Sequence, residues 1–162
     1  MPLSFGTAVA CVLAGAAAVA FVRNSVVKAA GLGIASAVAF DLVLGFGVVP
    51  QLHDLWLSPR AAQLAAANRQ PGDAPIVLTG YVEPSLVFLL GPETRLEPAR
   101  RAAAETGHGG LALVESRATA EFLIGAASLG LAAEPLGNVR GLDYSIGRKE
   151  QITLYRVMPP AR

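Results

Sequence analysis

Residues 5–22 (FGTAVACVLAGAAAVAFV) form an uncharged run of 18 residues near the start of the chain. As an α-helix this run would be about 27 Å long, close to the thickness of the hydrocarbon core of a bilayer. A second run, residues 29–49 (AAGLGIASAVAFDLVLGFGVV), would reach about 31 Å. It ends before Pro50, which disfavours continuation of a helix. The two runs predict a membrane hairpin of two transmembrane helices.

The composition agrees with an apolar N-terminal part followed by a water-exposed part. The residue types AVILMFWYC make up 53% of the 162 residues, and the 17 glycines raise the apolar share to about 64%, against roughly 45–50% in soluble domains. Within residues 1–50 only Arg23, Lys28 and Asp41 are charged, whereas the rest of the chain holds 11 Lys/Arg and 11 Asp/Glu. The equal numbers of basic and acidic residues in that part give no basic surface for nucleic acid. The single cysteine, Cys11, excludes an intrachain disulfide.

The connection between the two runs predicts their orientation. It carries Arg23 and Lys28, and the positive-inside rule places such a short basic connection in the cytoplasm. The chain after the second run would then face outward. A cleaved signal peptide is the alternative for the first run, because residues 14–20 are small enough for a cleavage site. No positive charge precedes that run, however, and a second apolar run follows almost at once.

Both runs are rich in alanine and glycine, which favours close packing against further membrane helices. A plain two-helix anchor from an alanine-rich proteome is the alternative. Asp41 would lie near mid-membrane, where an ionisable side chain is a candidate functional group; a carboxyl that only supports packing fits equally well. After the second run, Trp56 is a candidate interfacial anchor. His53 and Asp54 are interpreted as solvated polar residues rather than as a metal or acid–base pair.

The remaining residues predict a small α/β domain with a mostly parallel sheet and a C-terminal hairpin. Short apolar runs at 76–79 and 111–114 are typical of strands buried on both faces, as in parallel sheets. The other predicted elements are helices over 84–90, 96–105 and 117–129 and strands over 131–139 and 151–157, joined by a long loop over 141–149. The predicted domains are two transmembrane helices within 1–50, a juxtamembrane helix within 51–70, N-capped by Ser58, and an α/β domain over 71–162.

The turn after the first predicted strand holds the candidate ligand-binding residues Tyr81, Glu83 and Ser85. Turns that join a strand to a helix in open α/β sheets are where ligands usually bind. The glycines match no phosphate-binding loop, and Ser85 does not lie in a G-x-S-x-G motif. For Glu83 and for Asp143, capping of a turn is the alternative to a chemical role. His108, surrounded by glycines, predicts an exposed loop tip, and we assign no catalytic residue, metal or cofactor.

Three stretches carry a resemblance to a known family. They are residues 55–60 (LWLSPR), 80–91 (GYVEPSLVFLLG) and 141–148 (GLDYSIGR). Together they resemble the C-terminal region of the bacterial family 39 glycosyltransferases, relatives of the protein mannosyltransferases and of the transferase that adds aminoarabinose to lipid A. The likeness covers essentially the whole chain, and the pattern Y-x-x-P-S-L-x-F is its most specific part.

The resemblance implies an integral membrane enzyme that transfers a sugar from a polyprenyl-phosphate carrier to a periplasmic acceptor. In that family the acidic catalytic residue lies in the first outward-facing loop, and no stretch of this chain matches that loop. We therefore expect the C-terminal part of such an enzyme, inactive alone, from a truncated or split reading frame or a fragment. It would lie in the bacterial inner membrane with its terminal domain in the periplasm.

The expected partners are the lipid-linked sugar, the membrane, and further transmembrane helices of the larger transferase or of a polytopic partner. The substrate contacts nominated are Tyr81, Glu83, Ser85 and Asp41. The alternative function is a stand-alone, membrane-anchored periplasmic binding or assembly module without catalysis. A neighbouring reading frame that encodes the missing helices would favour the transferase.

Overall fold

The computed structural model describes residues 3–107 and 109–159, which form two compact units divided between His53 and Asp54. In chain order the elements are α1 (Leu3–Val22), α2 (Val26–Val43), α3 (Leu57–Asn68), β1 (Val77–Thr79), α4 (Pro84–Leu90), β2 (Arg95–Leu96), α5 (Ala99–Thr106), β3 (Leu111–Glu115), α6 (Thr119–Ser128), β4 (Ala132–Asp143) and β5 (Arg148–Met158). His108, the expected loop tip, lies outside the described residues.

The first unit contains two helices that are long and apolar enough to span a membrane. The candidate spans are Phe5–Val22 and Val26–Gln51, so the second begins earlier than the predicted residue 29. It also continues past Pro50, through a π-helical segment at Leu44–Val48 and a final 3-10 turn. Proline fits there because the first turn of a helical element does not use its backbone N–H group.

The two helices of this unit pack closely through small side chains. The hydroxyl of Ser36 on α2 donates a hydrogen bond to the backbone carbonyl of Ala10 on α1 at 2.9 Å. A Cβ atom at Gly6 would overlap the side chain of Val43 on α2. Small residues therefore let the two backbones approach each other. The predicted packing against further membrane helices stays a prediction.

The second unit is an α/β domain around a five-stranded mixed sheet with the strand order β2-β1-β3-β5-β4. Strand β1 pairs in parallel with β2 and β3, whereas β5 pairs antiparallel with both β3 and β4. The prediction of a mostly parallel sheet is therefore wrong. Wholly apolar strands indicate that both faces of a sheet are buried. Both faces of this mixed sheet are covered, so the apolar pattern predicted the burial but did not specify the direction of the strands.

The C-terminal hairpin is present, and its strands are longer than predicted. β4 and β5 pair from Ala132 opposite Met158 to Asp143 opposite Arg148, so only residues 144–147 connect them. The predicted long loop over 141–149 is therefore wrong. Polar and glycine residues suggested a loop, but in the structure they continue the pairing of β4 and β5 as far as Asp143 and Arg148.

Helices cover both faces of the sheet, and each face has its own buried apolar cluster. The cluster under α3 and α4 includes Leu57, Ala61, Ala65, Leu78, Leu86, Leu113 and Leu154. The cluster under α5 and α6 includes Val77, Ala102, Ala103, Val114, Phe122, Ala126 and Val157. Because neighbouring strand residues point to opposite faces, each short apolar run supplies both clusters. The domain thus has a complete core of its own.

Candidate functional site

The carboxyl ends of β1 and β3 meet at one edge of the sheet, where the candidate residues lie. Gly80 follows β1 with a φ of +85°, a backbone conformation that glycine adopts without a steric penalty. A Cβ atom at Gly80 would lie 2.7 Å from the Cβ of Glu115, the last residue of β3. The turn at residues 80–83 is therefore pressed against the end of the neighbouring strand.

Glu83 is the centre of a hydrogen-bond cluster at this edge. Its carboxylate accepts bonds from the backbone N–H of Ser85 at 2.9 Å and from the Ser85 hydroxyl, and so caps helix α4. It also accepts bonds from the hydroxyls of Tyr144 at 2.9 Å and Ser58 at 3.3 Å. Burial alone would raise the pKa of Glu83, but these donors outweigh it and lower the pKa below its ordinary value.

Ser58 joins this cluster instead of capping its own helix. Helix α3 begins at Leu57, so Ser58 lies within its first turn, and its hydroxyl is 3.2 Å from that of Tyr81. The prediction of Ser58 as the N-cap is therefore wrong, because its hydroxyl binds partners from the turn after β1. Burial raises the pKa of Tyr81 above its ordinary value of 10.0.

On the other side of the edge, one arginine bridges two buried carboxylates. Arg117 donates from Nε to Glu115 at 2.5 Å and from Nη2 to Glu150 at 2.8 Å. The two carboxylate side chains are 4% and 3% exposed, whereas that of Arg117 is 54% exposed. Burial would raise the pKa of Glu115, but the arginine holds it below its ordinary value. Burial and the neighbouring Glu115 raise the pKa of Glu150, so Glu150 takes up a proton first.

Asp143 ends β4 and shapes the hairpin turn. It is buried, and its Oδ1 accepts hydrogen bonds from the backbone N–H of Ser145 at 3.0 Å and from the Ser145 hydroxyl at 2.5 Å. This Asx-type turn directs residues 144–147 toward the turn after β1, where Tyr144 reaches Glu83. Both loop carboxylates singled out in the sequence therefore cap turns.

These groups surround a cavity of about 270 Å³. Its lining consists of Gly80, Tyr81, Val82, Glu83, Pro84, Arg117, Asp143, Ser145 and Ile146. Carboxylates and hydroxyls are the partners that sugar hydroxyls use, and a guanidinium is suited to phosphate. The cavity can therefore bind a ligand that combines hydroxyl groups with an anionic group.

A larger hollow of about 510 Å³ lies on the neighbouring part of the hairpin. It is lined by residues that include Asp54, Arg140, Lys149 and Glu150. Arg140 already donates to Gln151 at 2.7 Å. Glu150, whose pKa is raised, lines this larger hollow, whereas Tyr81 and Glu83, whose pKa values are also shifted, both line the smaller cavity. The convergence of polar groups therefore favours the smaller cavity as the functional site, although it has less volume.

Comparison with family models, with curated proteins and with solved structures found no match for this chain. The resemblance to the family 39 glycosyltransferases therefore stays a prediction that rests on the three sequence stretches.

The structure brings three of the four nominated residues together. Tyr81 and Glu83 line the cavity, and Ser85 binds Glu83 at the start of α4. Asp41 belongs to the helical unit, where its side chain is exposed on α2. Among residues 3–107 and 109–159, no group of three or more His, Cys, Asp or Glu side chains is arranged to hold a metal ion.

Sequence reasoning missed Arg117, Tyr144 and the pair of Glu115 and Glu150. A usable signal existed for part of this set, since Glu115 and Arg117 follow a wholly apolar strand just as Tyr81 and Glu83 do. The carboxyl ends of parallel neighbours meet at one edge, so polar residues after both strands predict a shared site. Tyr144 and Glu150 gave no such signal, because their position depends on the antiparallel β5.

Proposed function

We propose that this chain is the C-terminal part of an integral membrane glycosyltransferase, inactive alone, that uses a sugar carried on polyprenyl phosphate. The proposal places the helices in the bacterial inner membrane and the α/β domain in the periplasm. The observation that carries it is the cavity, which joins the Arg117 guanidinium to hydroxyls and carboxylates in one concave site. Two helices apolar enough to span a membrane precede that site in the same chain.

The cavity would bind the head of the lipid-linked sugar. Arg117 is half-exposed, so its guanidinium can pair with a phosphate oxygen while it still bridges the two buried carboxylates. The carboxylates of Glu83 and Asp143 can accept hydrogen bonds from sugar hydroxyls, and so can the hydroxyl oxygen of Tyr81, whose own proton is donated to Ser58. These residues bind and orient the ligand, and none of them is assigned the chemical step.

In the transfer itself an acceptor oxygen attacks the anomeric carbon, the bond from that carbon to the phosphate oxygen breaks, and polyprenyl phosphate leaves. The acceptor proton goes to a general base, which the family resemblance places in a part of the enzyme that this chain does not match. Further transmembrane helices, from the same enzyme or from a polytopic partner, would supply that base. The domain described here would hold the donor or admit the acceptor.

Binding of a short-chain polyprenyl-phosphate sugar to the full chain in detergent tests the proposal. We expect Arg117→Gln to weaken binding by about ten-fold, because it removes the charge-assisted bond to phosphate. The matched control is Arg100→Gln on α5, whose side chain is 71% exposed. Equal affinities for the two variants, both folded, would overturn the assignment of the cavity.

Membrane topology and co-purification test the proposal that the chain is part of a larger membrane enzyme. A reporter that is active only in the periplasm, fused after Arg162, should be active, and a polytopic protein should co-purify with the chain.

The alternative is a stand-alone, membrane-anchored binding or assembly module. One observation favours it: the domain has buried clusters on both faces of its sheet. A chain that purifies alone and still binds the sugar would support the module, and a cytoplasmic C-terminus would overturn both functions.

A further inference from the structure

We propose that the loops at the carboxyl end of the sheet rest on the lipid bilayer, with Val82, Tyr144 and Ile146 in contact with lipid. The proposal goes beyond the sugar-binding function, since it holds for a transferase and for a stand-alone module alike. It assigns an interaction surface and names a lipid bilayer as the partner.

Three apolar or aromatic side chains are exposed together at this end of the domain. Val82 is 55% exposed, Tyr144 59% and Ile146 56%. Val82 and Ile146 line the same cavity, and Tyr144 binds Glu83, the neighbour of Val82. We call these three residues the loop patch. Large apolar side chains grouped on a protein surface mark an interaction site, and tyrosine is enriched where membranes meet water.

The chain enters the domain at the same end. The backbone carbonyl of Asp54 would lie 2.7 Å from a Cβ atom at Gly141, near the hairpin turn, and Ser58 binds Glu83. In the sequence Asp54 follows Gln51, the last residue of the second candidate span, by three residues. Three residues of chain reach at most about 11 Å. The covalent chain therefore ties this end of the domain, with its loop patch, to a candidate membrane span.

The neighbouring side chains fit a lipid surface better than they fit a protein partner. Trp56, 40% exposed, follows Asp54 by two residues, and tryptophan is the other residue enriched at the membrane interface. Arg148 and Lys149, both exposed, follow the patch directly and can meet lipid phosphates. An apolar tip with aromatic and basic neighbours is the pattern of an interfacial contact.

This placement has a consequence for access to the cavity. Val82 and Ile146 are part of its lining, so lipid that meets the loop patch also meets the mouth of the cavity. A ligand with a lipid tail can then place its head group near Arg117 while the tail stays in the bilayer.

The test uses the full chain, with Cys11→Ser to remove its single cysteine, reconstituted as one copy per lipid nanodisc. A polarity-sensitive fluorophore is attached at Val82→Cys or Ile146→Cys, and lipids with brominated or spin-labelled chains serve as quenchers. The matched control is Gln70→Cys, an exposed position after the C-terminal end of α3. We expect quenching at 82 and 146 to exceed that at 70 by about three-fold or more, with a blue-shifted emission.

Equal quenching at all three positions would overturn the proposal. A blue shift at 82 and 146 without lipid quenching would also overturn it, because it would mean that protein covers the patch. A second variant tests whether the patch, rather than the attached fluorophore, makes the contact with lipid. With the fluorophore at Tyr144→Cys, the double change Val82→Asp and Ile146→Asp should reduce quenching by the lipid chains. Sugar binding is measured separately, so failure of the lipid contact and failure of the proposed function are distinguishable.

Discussion

Two carboxylate sites at this edge of the sheet have different surroundings: Glu83 lies in the lining of the cavity, and the buried pair of Glu115 and Glu150 binds Arg117. Glu83 is met by donors alone, two from Ser85 and one each from Tyr144 and Ser58. Glu115 and Glu150 are buried together, and both pair with Arg117. Burial favours the protonated form at both sites, and the neighbours either offset it or add to it: the four donors lower the pKa of Glu83, whereas burial and the adjacent Glu115 raise the pKa of Glu150.

The largest expected effect comes from adding a side chain at Gly80, where the turn that carries Glu83 meets the end of β3 that carries Glu115. Gly80→Ala would place a Cβ atom 2.7 Å from Glu115 and would hold a side chain at a φ of +85°. We expect a loss of about 3 kcal/mol in the free energy of unfolding, measured by urea titration of Trp56 fluorescence in detergent.

The matched control for this change is Gly72→Ala, at a φ of +91° with no atom within 4 Å of the added Cβ. It carries the backbone strain without the collision, so we expect it to cost about 1 kcal/mol. Equal losses in the free energy of unfolding for the two variants would contradict a close contact between Gly80 and Glu115.

Glu83→Gln should remove about 1 kcal/mol of stability at neutral pH, because it weakens the cap of α4 and the bonds from the hydroxyls. A lowered pKa gives a stabilisation that is present above the ordinary value of 4.5 and disappears as the pH falls through the folded-state pKa. The deficit of the variant should therefore shrink in acid. A deficit that stays constant from pH 7 to pH 3 would contradict the charged form of Glu83.

Glu150→Gln should act in the opposite direction, with a gain of about 1 kcal/mol in the free energy of unfolding at neutral pH, the size common for substitutions that remove an unfavourable charge. A raised pKa gives a contribution that is complete below 4.5 and is lost as the pH rises through the folded-state pKa. The amide imitates the protonated form, so its advantage should vanish below that range. Glu134→Gln, at an exposed position on β4, is the control for both substitutions and should change little.

The smallest effect is expected from Tyr144→Phe. It removes one donor from Glu83, so the carboxyl pKa of that residue should rise toward its ordinary value while the fold is kept. Carbon-13 NMR of the glutamate side chains follows this titration directly. An unchanged Glu83 titration would show that the turn of the hairpin does not contribute to the charge at the cavity.

The elements were more predictable from the sequence than the site. A long apolar composition, interrupted by charge within α2 only at Lys28 and Asp41, is enough to predict helices α1 and α2. The runs at 76–79 and 111–114 predicted β1 and β3 closely. Strand direction was not predictable, because residue patterns report burial and not chain direction. The cluster around Glu83 joins residues 25 and 61 positions apart, so no local pattern contains it. Only Ser85 was close enough in sequence for capping to be anticipated.

The order of the strands bears on how the chain is made. β5 lies between β3 and β4 and pairs with both, so the sheet remains in two unconnected parts until the ribosome has added Arg148–Met158. The domain cannot complete its sheet before β5 has been added, so its folding is completed late relative to the synthesis of β1 and β3. A protein-conducting channel accepts a chain that has not yet folded, so this late completion suits a domain exported across the membrane, as the proposed function requires.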